Sequence, residues 1–190
     1  MLHSLIQHIQ RFVSLTEEET HMLGHYFVVK KLNKKDFLLE EEQVCTANYF
    51  VAEGCLRLYY LNDKGVESIV QFAIETWWIS DYMSLEKQHP SSFYLQAVES
   101  STVVVLEKQV QDELFEKIPK LERYFRIIAQ RANAAAQVKI KYISELSGEE
   151  RYFKFTESFP EFVQRIPQYM LASYLGFTPE FLSKLRSKKR

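Results

Sequence analysis

The spacing of apolar positions changes several times along the 190-residue chain. Leu2, Leu5, Ile6, Ile9, Phe12 and Val13 recur at helical intervals, and Thr16-Glu17-Glu18-Glu19 has the residue types of a capped start for a second short helix. From Tyr26 the period falls to two. Strands are expected over 26–32, 37–40, 48–53, 55–61, 67–72, 77–79, 93–98 and 102–106, each short and rich in β-branched and aromatic residues. Turn formers separate them: Asn33-Lys34-Lys35-Asp36, Gly54, Asn62-Asp63-Lys64-Gly65 and His89-Pro90-Ser91. Around eight such strands predict an antiparallel roll or barrel, a fold that often encloses a ligand cavity.

The pattern then returns to helix. A short segment is expected over 109–117, Pro119 stands where a helix can begin, and a long helix should run to about Leu146. Along it Leu121, Phe125, Ile128, Ala132, Ala135, Lys139, Tyr142 and Leu146 alternate by four and three, an a/d seam with one polar interruption. The small residues Ala132, Asn133, Ala134, Ala135 and Ala136 would let two such helices approach closely. The competing reading is a helix lying on its own roll. A helix this long projects beyond a roll of some 110 residues, so the expected homodimer interface is Leu121, Phe125, Ile128, Ala132, Ala135 and Tyr142.

Ser147-Gly148-Glu149-Glu150 should end the long helix, with another helix over 151–158 broken by Pro160. Phe162 and Val163 are expected as a short extended entry. Gln168 to Leu175 then carries Leu171, Ala172 and Leu175 on one face, and Gly176 supplies a helix end. Thr178 caps the next helix, Pro179 takes its first position, and Phe181, Leu182 and Leu185 should face the core. Two short helices around a turn with Gly match the helix-turn-helix, whose second helix enters the major groove. The expected organisation is a roll at 1–118, a long helix at 119–147 and a helix-turn-helix unit at 148–190.

Composition adds little until it is divided. At 46% apolar and 26% charged residues the chain is ordinary globular material, and its net charge is -1. From Arg151 to Arg190, however, eight Lys or Arg face three Asp or Glu, a net of +5 where DNA would be read. Only Cys45 and Cys55 occur, and the N-terminus lacks a basic segment followed by an apolar one, so a reducing cytoplasm is expected. No apolar run approaches the roughly eighteen residues of a membrane span.

The order of roll, long helix and helix-turn-helix resembles the Crp/Fnr family of bacterial transcription regulators, over nearly the whole chain. Tyr49-Phe50-Val51-Ala52-Glu53-Gly54-Cys55-Leu56-Arg57-Leu58-Tyr59-Tyr60 is similar to the family's hairpin around a Gly. Glu149-Glu150-Arg151-Tyr152, Arg165-Ile166-Pro167 and Tyr174-Leu175-Gly176-Phe177-Thr178-Pro179-Glu180 look like the branch common in Bacteroidetes. The resemblance implies an α+β fold with an N-terminal jelly roll like a cyclic-nucleotide-binding domain. It also implies a long dimerisation helix, a C-terminal helix-turn-helix and contact with RNA polymerase through surface loops. As a departure from the family, a full wing is not expected after the second helix, and the residues present no catalytic constellation, so no enzymatic activity is expected.

The departures concern the signal. Family members that bind cyclic nucleotides carry Gly-Glu-Leu followed by Arg-Ser or Arg-Thr, because a cyclic phosphate needs amide donors and a guanidinium. Here the matching region reads Glu75-Thr76-Trp77-Trp78-Ile79-Ser80-Asp81-Tyr82-Met83-Ser84 and then Pro90-Ser91-Ser92. Neither cyclic AMP nor cyclic GMP is expected to bind, and the effector is left open. An iron-sulfur cluster needs about four thiolates, so none is expected, nor is haem. Trp77, Trp78, Phe93 and Tyr94 could line an effector pocket or simply pack the core. His21 and His25 have the spacing of a metal pair but no third ligand, so no metal is expected.

What the resemblance implies for DNA falls on single residues. The position of Glu180 carries an acid that accepts from cytosine, and that of Lys184 a base that reads guanine; the outward face is Glu180, Ser183, Lys184 and Ser187. Arg165, Gln168, Tyr169, Thr178, Lys188, Lys189 and Arg190 are expected at phosphates. The partners are a near-palindromic duplex and a second copy of the chain. The alternative is a ligand-binding or partner-docking roll without DNA reading.

Overall fold

The computed structural model describes residues 1–187. Leu2–Gln10 (α1) and Glu17–Tyr26 (α2) open the chain. At the start of α2 the Thr16 hydroxyl accepts the Glu19 amide while the Glu19 carboxylate accepts the Thr16 amide, the reciprocal cap its sequence calls for.

Eight strands are present among the described residues: Phe27–Leu32 (β1), Phe37–Leu39 (β2), Ala47–Glu53 (β3), Leu56–Leu61 (β4), Glu67–Ala73 (β5), Trp78–Ile79 (β6), Tyr94–Ala97 (β7) and Ser101–Glu107 (β8). Each lies within one residue of its expected bounds. They form two antiparallel sheets, ordered β1-β8-β3-β6 and β2-β7-β4-β5. Within the roll one element was not anticipated: Tyr82–Lys87 (α3), too short to print a periodic stripe. Asp81 caps it by accepting the Met83 and Ser84 amides, and Gln88 closes it in the left-handed region at φ 54°.

The run Val103-Val104-Val105-Leu106 shows why the roll is so well determined. Val103 and Val105 point between the sheets with Leu56, Ile79 and Leu95. Val104 and Leu106 point outward, yet they too are buried, under Leu5, Ile9, Leu114 and Leu121. β3 behaves likewise, with Tyr49 and Val51 inward and Phe50 outward. A strand covered on both faces reads as a continuous apolar run rather than an alternation.

The outer cover comes from α1, α2, Lys108–Lys117 (α4) and the root of Lys120–Glu145 (α5). Within it lies a polar junction. Trp78 Nε1 donates to the Tyr124 hydroxyl at 2.8 Å, which leaves the phenol proton for His8 Nδ1, also at 2.8 Å. His8 is thereby a neutral acceptor at Nδ1. Burial, with Arg11 and Arg131 nearby, pushes its pKa from 6.5 to about 4.

The chain finishes in four helices: Gly148–Ser158 (α6), Pro160–Arg165 (α7), Gln168–Leu175 (α8) and Pro179–Ser187 (α9). The extended entry expected at Phe162 and Val163 is corrected, since both lie in α7. Pro160 ends α6 but takes the first position of α7, where its missing donor costs nothing. Among the described residues no helix is long and apolar enough to cross a membrane.

His8 sets a pH dependence with a definite sign. Its folded pKa is depressed, so between pH 6.5 and 4 the unfolded chain binds the proton more tightly, and this stability is whole above 6.5 and lost toward 4. Measured by urea unfolding over that window, His8→Asn should flatten the stability curve by about 3 kcal/mol relative to wild type.

Candidate nucleic-acid interface

The α8–α9 corner is built by its turn. Gly176, at φ 76°, adopts the left-handed conformation that lets its amide and that of Phe177 bond back to Ala172 and Ser173 carbonyls. The Phe181 amide then donates to the Thr178 hydroxyl, and Pro179 starts α9. Met170, Leu171, Ala172 and Leu175 of α8 close on Leu182 and Leu185 of α9.

That packing leaves Glu180, Ser183, Lys184 and Ser187 exposed on one side of α9, as the sequence requires. The Glu180 carboxylate is held below its ordinary pKa by its own backbone amide and by the Thr178 hydroxyl, so it is charged at neutral pH. Phe181 departs from expectation. It is 41% exposed rather than core, with its ring edge against Phe177. Beneath it lies Gly148, where a Cβ would stand 2.8 Å from the Phe181 ring. A side chain at the first residue of α6 would require that ring to shift.

The expected phosphate contacts divide. Tyr169 and Thr178 are exposed, and Gln168 is half-buried with its Oε1 unpartnered. Arg165 is engaged by the roll, its guanidinium bonding both oxygens of Glu75 at 2.9 Å and Glu99 at 2.5 Å. Lys188, Lys189 and Arg190 lie outside the described residues.

The residues of the expected dimer seam divide as well, with Ala132 and Ala135 exposed. Leu121 is fully buried within its own protomer, and Phe125 and Ile128 pack on the same cluster, so these three root α5 in the roll. Tyr142 lies under the Lys154 ammonium at 4.5 Å. Among the exposed apolar positions, Ala129, Ala132, Ala136, Ile140 and Ile143 recur at intervals of three and four on a neighbouring stripe, with Ala134 and Val138 off it. Ala135 is exposed beside it. Ile140, at 67%, is the most exposed large apolar side chain of the helix.

Trp77, Trp78, Phe93 and Tyr94 do not share a pocket. Trp78 is buried at the His8–Tyr124 junction, Phe93 packs on the inner core, and Tyr94 stacks on Tyr59 with ring centroids 5.0 Å apart. Trp77 instead edges a crevice with Phe72, Phe155, Phe159, Phe162 and Tyr174, between roll and helical unit. The space between the sheets is filled by Leu56, Leu58, Ile79, Leu95, Val103 and their neighbours. At the start of α3 the Asp81 carboxylate takes two amides and the Ser91 hydroxyl, the donors that an incoming anion would use. His21 and His25 stand with ring centroids 6.0 Å apart, and among the described residues no group of three His, Cys, Asp or Glu could hold a metal.

Sequence reasoning missed how the helical unit is fastened. The Ser173 hydroxyl accepts the Ile69 amide and donates to the Glu67 carbonyl of β5. Glu67 in turn holds the buried Arg57 through both oxygens, with Gln96 completing the guanidinium's partners. Lys139, the polar break in the predicted seam, donates to the Val70 carbonyl at 2.8 Å with its ammonium 3.8 Å over the Tyr174 ring. Burial lowers its pKa to about 8. That break was the one visible signal.

Residues 29–117 match the family described as cyclic nucleotide-binding domain. The anaerobic regulatory protein of Pasteurella multocida is similar, at 25% identity over 184 residues covering 90% of this chain and 67% of that protein. So is the fumarate and nitrate reduction regulatory protein of Vibrio cholerae, at 25% over 184 residues, 90% of this chain and 73% of that one. The solved structure of FixK2 from Bradyrhizobium japonicum shares the fold, with a TM-score of 0.73 at 16% identity over 85% of this chain and 83% of its own.

Arg151 ties the end of α5 to the end of α8, donating to the Leu175 carbonyl at 2.8 Å and to the Ile143 and Leu146 carbonyls at 3.3 Å. Arg151→Ala should lower stability by about 2 kcal/mol in equilibrium unfolding. Arg151→Lys should recover less than half of the loss, since an ammonium cannot fork to three carbonyls as a guanidinium does.

Proposed function

We propose that this chain, a DNA-binding transcriptional regulator of the Crp/Fnr type, works as a homodimer on a near-palindromic duplex, each protomer laying α9 in one major groove. The observation that carries the reading is the α8–α9 corner: its apolar side is closed by Leu171, Leu175, Leu182 and Leu185, while Glu180, Ser183, Lys184 and Ser187 stand in solvent. In this reading 1–118 form the sensor roll, 119–147 the dimer helix and 148–190 the reading unit. A partner-docking roll without DNA reading is not favoured, because the similar proteins are named as regulators.

The chemistry at the groove is specific. The Glu180 carboxylate accepts from a cytosine amino group, the Lys184 ammonium donates to guanine O6 and N7, and Ser183 and Ser187 can serve either base. Tyr169 and Thr178 meet phosphate, which holds register without reading sequence. Two protomers joined along Ala129, Ala132, Ala136, Ile140 and Ile143 would address half-sites about one helical turn apart. Contact with RNA polymerase through surface loops completes the role.

The ligand that the roll's family name implies does not fit these residues. A cyclic phosphate needs free amides and a guanidinium, whereas the α3 amides are taken by Asp81 and the buried Arg57 by Glu67 and Gln96. The side chains between the sheets are apolar and offer a phosphate no partner. No step of the proposed function passes through cyclic AMP or cyclic GMP.

Lys184→Ala should weaken binding to the preferred duplex by about 1 to 3 kcal/mol and relax its sequence preference in a binding selection. An unchanged preference would show that another side chain reads the bases. Ile140→Asp, which touches no core cluster, should convert a sedimenting dimer to monomer; a dimer that persists would place the seam elsewhere.

A further inference from the structure

Arg165 stands at the boundary between the roll and the reading unit. It closes α7, three residues before the first residue of α8, the helix that crosses the DNA backbone in a helix-turn-helix. Its partners come from two turns of the roll. Glu75 follows β5 and is fixed there by the Gly54 amide at 2.9 Å, while Glu99 lies between β7 and β8. Burial pushes the Glu75 carboxyl upward, but the Arg165 guanidinium and two backbone amides outweigh it, leaving the carboxyl below its ordinary value. One cation is thus matched to two anions, with the Arg165 side chain 32% exposed. Partly exposed pairs of this kind are weak enough to exchange partners.

We infer that Arg165 is shared: it clasps Glu75 and Glu99 when the reading unit is docked on the roll, and turns to a backbone phosphate when duplex DNA arrives. The inference rests on the DNA-reading function proposed above. A guanidinium suits both partners, because it matches carboxylate and phosphate in the same two-pronged geometry. The two roll carboxylates then act against DNA twice, by occupying Arg165 and by repelling phosphate at the same edge. The remaining fastenings are neutral or lie deeper: the Ser173 hydroxyl on β5, the Lys139 ammonium on the Val70 carbonyl, and the rings of Phe162 and Tyr174 on Phe72. Arg165, Glu75 and Glu99 therefore form the part of the junction that an anion can open.

The test uses the full chain and a labelled random-sequence duplex of about three helical turns, titrated across salt concentration. Glu75→Gln with Glu99→Gln keeps the acceptor for the Gly54 amide while releasing Arg165. The double variant should bind on the order of fivefold tighter, with a slope of log affinity against log salt steeper by about one. Adding Arg165→Gln should return both to wild type or below. Hydrogen exchange of β5, whose Ile69 amide is held by Ser173, should quicken in the double variant without DNA. Wild type that binds while the double variant matches it in affinity and slope overturns the sharing of Arg165 and leaves the DNA-reading function intact. Wild type that binds no duplex overturns both.

Discussion

A single phenol holds three parts of this chain in register. The Tyr124 hydroxyl is fully buried, accepts from Trp78 of the roll and donates to His8 of the first helix. In such surroundings a donor or acceptor left alone costs more than any one contact returns, so α1, β6 and the root of α5 adopt one mutual arrangement. Everything that follows hangs from that root. The long helix leaves the roll in a direction fixed by Tyr124, Leu121 and Phe125, and the reading unit is attached at its far end through Arg151.

The roll itself has been turned from a container into a support. Side chains from both sheets fill its interior, its one buried guanidinium is neutralised by Glu67, and the start of its short helix carries an internal carboxylate. Two places at the roll's margin are less fully satisfied than its interior. The aromatic crevice beside Trp77 and the carboxylates around Arg165 both lie at the junction with the reading unit.

How much of this was legible depended on whether the residues repeat. Strands and long helices announce themselves because burial imposes a period, and eight strands and α5 were found within a residue or two of their expected bounds. α3 has too few residues to repeat, and α7 was mistaken for an extended entry because Pro160 can end one helix and begin another. The polar side of α9 was readable since Leu182 and Leu185 fix which side is buried. The seam was not. A stripe of apolar residues states that something covers it, and only the coordinates reveal that Leu121, Phe125 and Ile128 are covered by their own roll. Pairing between distant charges left no trace in the sequence, so Arg165 looked free, and Trp77 and Trp78, adjacent in the chain, went to opposite sides of a strand end.

The bare backbone at Gly148 has a mechanical meaning. With no side chain there, the Phe181 ring of α9 rests directly against the first turn after the long helix, and any atom added at 148 would push the ring away. α9 is therefore seated against the start of α6, just past the end of α5. If two protomers pair along α5 as proposed, the aim of α9 is set jointly by that helix end and by the bonds of Ser173 and Arg165 to the roll. Evolution of a new half-site spacing in such a protein would be expected to alter the helix ends around 148 before it alters the groove-facing residues.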